Sequence, residues 1–316
     1  MKQQAVRFGD RESLSGIVTY PDDPLRGAPA VIFLTAGVIH RVGPNGLYAR
    51  LCRELAARGI VTLRFDFSGV GDSPPRPDHL VFSKSSILES QAAMDFLAET
   101  TGAQRFVMAG LCSGAFAAVK AAGSDPRVSG AIVINAQTLR DGDQNDFQAY
   151  AANRSVVRHL INPRTWLKVL DGTAQYGGKV RILTDYLAGA FRKGPRAESA
   201  RAIAAELHDL VKRDLDLLFI YSKGDPGHDY FMLLGEREIE RLTRTGRLHV
   251  EVISATDHIF APPEAFDSLL RVCGDWLERH CNRVSDDALS APAVHLPLKS
   301  TTQIASDSSL SPATRA

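Results

Sequence analysis

The stretch RFVMAGLCSGAFAAVKAAG, residues 105–123, joins a short apolar run to a helix of small residues through Gly110-Leu111-Cys112-Ser113-Gly114. The run before Gly110 is too short for a buried helix and reads as a buried strand. The alanine-rich segment after Ser113 is a strong helix former. A strand that turns straight into a helix strains the backbone of the residue at its tip and leaves little room for side chains two positions to either side. Centred on Cys112, those positions are Gly110 and Gly114; centred on Ser113, they are Leu111 and Ala115, and a leucine would crowd the turn. Cys112 is therefore the nucleophile position of this turn.

Outward from this turn, strands alternate with helices. APAVIFLTAG (28–37), IVTLRFDF (60–67), VSGAIVINA (128–136), LDLLFIYSKGD (215–225) and LHVEVISA (248–255) are short apolar runs. Between them lie the helical patterns LYARLCRELAARG (47–59), about 86–100, YFMLLGEREIERL (230–242) and PPEAFDSLLRVCGDWLERHC (262–281). Such alternation predicts βαβ units and a mostly parallel sheet flanked by helices, an α/β fold. AVRFGDRESLSGIVTYP (5–21) predicts a hairpin at the sheet edge. Residues 1–136 and 215–283 are expected to form the core, and 137–214, where the rhythm breaks, an inserted helical cap rich in arginine. The Ser, Thr, Ala and Pro-rich segment 284–316 predicts a disordered tail.

An acyl-transfer triad on an open α/β sheet places nucleophile, acid and histidine in that chain order. Asp225 closes the run 215–225 and His258 follows the run 248–255, so Cys112, Asp225 and His258 form the candidate triad. Asp229 and Asp257 are the alternative acids. His258 would hold Cys112 as a thiolate, assisted by the dipole of the helix that starts at Ser113. Asp225 would fix the imidazole tautomer. An oxyanion hole needs two backbone N–H groups: Ser113 supplies one, and the loop at Gly37 supplies the other, assigned to Val38. His40 and Arg41 beside that loop are candidate contacts to a substrate carboxylate or phosphate.

With these residues in view, the chain resembles an α/β-hydrolase of the serine-aminopeptidase-like type. VIFLTAGV, LRFDFSGVGDS (with Asp66, Gly69, Gly71 and Ser73), GLCSG, GDPG and TDHIF carry the likeness, over about residues 5–283. Two positions depart from the usual pattern: Cys112 replaces the serine, as in dienelactone hydrolases and carrier-protein aminoacyltransferases, and Ala36-Gly37 stands where His-Gly is usual. The resemblance implies an enzyme that cleaves an ester or thioester through an S-acyl cysteine. Its alternatives are an acyltransferase delivering to a thiol, amine or alcohol, and a non-catalytic binding protein on the same fold. Amide cleavage fits less well, because a thiolate leaves more easily than an amine. A small acyl ester or thioester is the expected partner, with an acyl carrier protein as a further candidate facing the cap arginines Arg154, Arg158, Arg164, Arg181 and Arg192.

Composition narrows the remaining classes. A net charge of +1 gives no global signal for nucleic acid or membrane. Cys52, Cys112, Cys273 and Cys281 share no metal-ligand spacing, and no phosphate-binding glycine loop is present, so neither metal nor cofactor is expected. The segment MKQQAVRFGDRES lacks the apolar core of a signal peptide, and no run reaches the roughly 18 apolar residues of a membrane helix. The expectation is a cytoplasmic protein with reduced thiols, three of them packed on helices.

Overall fold

A computed structural model describes residues 1–140, 193–232 and 236–290. Eight strands form one sheet: β1 (Lys2–Phe8), β2 (Leu14–Tyr20), β3 (Ala30–Leu34), β4 (Thr62–Phe65), β5 (Phe106–Leu111), β6 (Val128–Ile134), β7 (Asp216–Ser222) and β8 (Leu248–Ile253). Their spatial order is β1-β2-β4-β3-β5-β6-β7-β8. β1 and β2 pair antiparallel, as does β2 with β4, and every later pairing is parallel. The edge hairpin and the parallel core thus both match the alternation of the sequence.

Seven helices are described: α1 (Leu47–Ala57), α2 (Phe82–Thr101), α3 (Ser113–Ser124), α4 (Lys193–Lys212), α5 (Pro226–Phe231), α6 (Glu236–Thr243) and α7 (Pro263–Ser290). The period-two alternation of strand side chains divides the core between the two faces of the sheet. Phe106 and Met108 of β5 pack with α2, α3 and α4, through Met94, Val119 and Leu207 among others. Val107, Ala109 and Leu111 pack on the other face with α1 and α7, through Leu51, Phe266 and Trp276. Cys52, Cys273 and Cys281 are buried on α1 and α7, and burial pushes the first two thiols up to about 12 and the third to about 11. They are packing residues.

Two element boundaries differ from the sequence reading. β4 stops at Phe65; the buried Asp66 still donates its N–H to the Ser15 carbonyl at 2.9 Å, while its carboxylate accepts the Asp72 N–H at 3.1 Å. The final helix continues to Ser290, past the expected start of the tail at 284, since extending an established helix needs far less than starting one. Within the expected cap, α4 buries Ile203, Leu207 and Leu210 against the core. Residues 141–192, with Arg154, Arg158, Arg164, Arg181 and Arg192, lie outside the described residues, as do residues 291–316. Among the described residues no helix is long and apolar enough to cross a membrane.

At the amino-terminal ends of β6 and β7, the edge away from Cys112, a buried polar cluster ties α7 to the sheet. His280 Nδ1 lies 2.7 Å from Asp216 Oδ2, and its Nε2 lies 2.9 Å from Ser129 Oγ. The other carboxylate oxygen of Asp216 accepts from Arg283 at 2.7 Å and Arg247 at 3.2 Å. These residue types echo an acyl-transfer triad, but Ser129 sits inside a strand and donates its proton to the Phe106 carbonyl at 3.3 Å. The cluster is a clamp. Burial alone would raise the Asp216 carboxyl, yet His280, Arg283 and Arg247 together hold it below its ordinary value. A depressed carboxyl stabilises the fold above its unfolded value of about 3.9, and that contribution is lost as pH falls through the lower folded value. His280→Ala is expected to cost about 2 kcal/mol in urea unfolding at neutral pH, with the deficit fading below about pH 4.

Candidate active site

Cys112 sits between β5 and α3 with φ 56° and ψ −115°, a left-handed backbone that a non-glycine residue adopts only under strain. Its N–H donates to the Ile134 carbonyl at 2.9 Å, which pins the turn to the neighbouring strand. The two glycines make the turn possible. A Cβ on Gly110 would lie 2.2 Å from the backbone of Gly114, and one on Gly114 would lie 2.3 Å from the Leu34 carbonyl oxygen. The glycine bracket around Cys112 is therefore a steric requirement of strand, helix and β3 meeting at one point.

His258 lies on the loop after β8. Its Nδ1 is 2.6 Å from Asp225 Oδ2, and the Cys112 side chain stands close enough to the ring to raise its pKa. Asp225 is the N-cap of α5, and its second oxygen accepts the Gly227 N–H at 2.7 Å, so the carboxylate is fixed from both sides. The alternative acids are engaged elsewhere. Asp229 lies 3.7 Å from His228, and Asp257 accepts the N–H groups of Ile259 and Ala261 at 3.2 and 3.0 Å. The hydrogen bond donated to Asp225 first, and the neighbouring Cys112 side chain second, outweigh burial and raise the His258 imidazole to about 10. At neutral pH the ring beside the sulfur is consequently held as imidazolium. Asp225 and His258 are thus in direct contact, with Cys112 beside the ring.

The 36–38 turn lies against the start of α3. Gly37 is left-handed at φ +56°, and its N–H donates to Ser113 Oγ at 2.6 Å. Ser113 opens α3, where helix geometry leaves its own N–H without an intrahelical partner. Val38, with its side chain 92 % exposed, follows Gly37 at the tip of the turn. The loop and the helix start named for the oxyanion hole are thus neighbours.

Neither substrate-contact candidate joins this cluster. His40 is exposed and its Nδ1 accepts the Val42 N–H at 3.4 Å. The Arg41 guanidinium is engaged by two carboxylates of the chain. It pairs with buried Asp66, and with Asp72 at 2.6 Å. The Arg41 N–H also donates to Asp66 at 2.5 Å. Gly71 is needed here, since a Cβ would lie 2.3 Å from Asp66 Oδ2. Arg41 thus locks the loop 66–73 to the strand ends.

Comparison with known proteins gives the family of the fold. Residues 32–270 match the alpha/beta hydrolase family. The chain belongs to that family. A proline iminopeptidase of Mycobacterium smegmatis superposes with a TM-score of 0.55 at 16% identity, covering 89% of this chain and 99% of that one. An esterase of Pyrococcus furiosus gives 0.54 at 16% identity, covering 88% and 90%. The uncharacterized protein PA2218 of Pseudomonas aeruginosa is 26% identical over 172 residues, which are 50% of this chain and 45% of that protein. The hydrolase chain here therefore spans about half the length of the curated relative it matches. The crystal structure of PA2218 gives a TM-score of 0.53 at 15% identity, covering 88% of this chain and 94% of that one.

Two residues that hold the site were not singled out in the sequence. Asn135, buried and left-handed at φ 44°, donates to the His258 carbonyl at 2.7 Å and accepts the Ser222 N–H at 2.8 Å. It ties the histidine loop to the ends of β6 and β7. Tyr48, also buried, donates its hydroxyl to the Leu34 carbonyl at 3.0 Å and accepts the Leu111 N–H at 2.8 Å. It bridges β3 and β5 where their ladder ends at Leu34 and Gly110. Its helical register with Leu51 and Leu55 was a readable sign that Tyr48 faces inward; Asn135 offered only its place at a strand end.

Proposed function

We propose that this hydrolase-fold protein cleaves an ester or thioester through an S-acyl intermediate on Cys112. What carries the reading is one observation: His258 is bonded to the Asp225 carboxylate and stands beside Cys112, which occupies the tip of a strained turn. The solved esterase and the proline iminopeptidase share the fold at 16% identity each, so neither activity transfers by likeness alone. The choice of ester or thioester over amide follows from the sulfur, which leaves a tetrahedral intermediate more readily than an amine does.

In the first half-reaction the Cys112 sulfur, its proton on His258, attacks the acyl carbon and a C–S bond forms. The carbonyl oxygen becomes an oxyanion facing the Val38 and Ser113 N–H groups. Collapse breaks the bond to the leaving oxygen or sulfur, which takes the imidazolium proton. In the second half-reaction His258, now neutral, accepts a proton from water as the oxygen attacks the thioester. Collapse then releases the acid and restores the sulfur–imidazolium pair. Asp225 keeps Nδ1 as the donor to its carboxylate, so that Nε2 handles both proton transfers.

Intact-mass spectrometry after mixing with phenyl thioacetate should give an acetyl adduct that maps to Cys112 and decays in water. A label on Ser113 would refute the assignment. Decay only on adding a thiol or amine would make the protein a transferase instead of a hydrolase. No adduct, with no alkylation of Cys112 by iodoacetamide, would leave a binding protein on a hydrolase fold.

A further inference from the structure

We infer that the Ser113 side chain is a positioning group that selects which amide of the 36–38 turn serves the oxyanion. The inference rests on the acyl-cysteine reading above. Ser113 Oγ accepts the Gly37 N–H at 2.6 Å across 76 residues of chain. An N–H committed to that hydroxyl is turned away from the reacting carbonyl. The next amide, Val38 N–H, is left to face the site opposite the backbone N–H of Ser113 itself.

Packing does not do this work. The space around a Cβ on Gly37 is empty to 4 Å, and the Val38 side chain is 92 % exposed. The hydrogen bonds that shape the turn are Ile39 N–H to the Ala36 carbonyl, at 3.0 Å, and Gly37 N–H to Ser113. The first closes the turn on itself; the second fixes its orientation to α3. Beneath the turn the root is rigid, because Tyr48 bridges Leu34 to Leu111 and Gly114 packs on the Leu34 carbonyl. The tip depends on a single hydroxyl, one residue from the nucleophile. A serine at 113 thus has a task that its neighbouring position to Cys112 does not itself require: alanine would fit the helix start equally well.

Loss of a complete oxyanion donor lowers turnover by about 10²–10³-fold. Loosening one donor should cost less, so Ser113→Ala is expected to slow single-turnover acylation by phenyl thioacetate by about 10- to 30-fold. The fall should appear in the acylation rate constant with KM nearly unchanged. Alkylation of Cys112 by iodoacetamide, which displaces iodide and builds no oxyanion, should keep its wild-type rate. Ser113→Thr, which retains the hydroxyl, should restore acylation, and hydrogen exchange at the Gly37 amide should rise in the alanine variant alone. Wild-type acylation by the alanine variant, or an equal loss of acylation and alkylation, overturns the inference. If the wild-type protein itself takes no acyl group on Cys112, the catalytic reading fails and takes this one with it. A wild-type adduct with an unaffected Ser113→Ala rate removes the positioning role alone.

Discussion

Cys112→Ala is expected to abolish acyl-adduct formation and to lower turnover of a thioester by about 10⁴-fold or more, to whatever the oxyanion donors and binding alone provide. The variant should fold. Alanine fits beside Gly110 and Gly114 at least as well as cysteine, and the φ of 56° is borne by the Ile134 hydrogen bond and the glycine contacts, not by the sulfur. Cys112→Ser is the sharper variant. A hydroxyl gives up its proton far less readily than a thiol, so the variant would start from a neutral alcohol, and His258 would lose the part of its rise that Cys112 supplies. Serine should therefore recover little of the lost rate with thioesters at neutral pH, although its shape is retained. Turnover unchanged in Cys112→Ala, measured by thiophenol release from phenyl thioacetate, would remove the sulfur from the chemistry altogether.

The features legible in the sequence are those that act locally or with short periods. Alternating strands and helices follow from contiguous apolar runs, and the glycine bracket follows from sterics within Gly110–Gly114. The order Cys112, Asp225, His258 is legible because each side chain sits at the carboxyl-terminal end of a strand, where a parallel sheet gathers its loops. Contacts between distant segments are not written in any local pattern. Arg41 reads as a free cation in a loop, yet it is committed to Asp66 and Asp72, 25 and 31 residues on. Asn135 holds the His258 carbonyl across 123 residues, and Ser113 meets Gly37 across 76. Polar side chains at loop positions are equally compatible with solvent, substrate or such a latch. Burial decides, and burial is a property of the assembled fold.

Asp225→Asn should separate the orienting acid from the fold it helps to cap. The amide oxygen can still accept the Gly227 N–H now received at 2.7 Å, and asparagine is as good an N-cap as aspartate. What changes is the contact with His258. An amide NH₂ placed where Oδ2 now lies, 2.6 Å from Nδ1, needs an acceptor and so favours the tautomer with its proton on Nε2. The neutral ring then carries its one proton on Nε2, so it can neither form the imidazolium without setting Nδ1–H against the amide NH₂ nor accept a proton from water at Nε2 in the second half-reaction. The hydrogen bond that His258 donates to Asp225 is also the largest cause of its rise to about 10, so the imidazolium should lose its proton at lower pH in the variant. The upper limb of the acylation profile, expected near pH 10 in the wild-type protein, should move towards the ordinary histidine range of about 6.5. Turnover at neutral pH should fall by about 10⁴-fold, the loss that a wrong tautomer causes in a serine triad. A stopped-flow pH series on both proteins reads the limb and the amplitude together. An unmoved upper limb with near-normal rates would mean that His258 is oriented by something other than the Asp225 carboxylate, and the proton path through Nε2 would have to be abandoned.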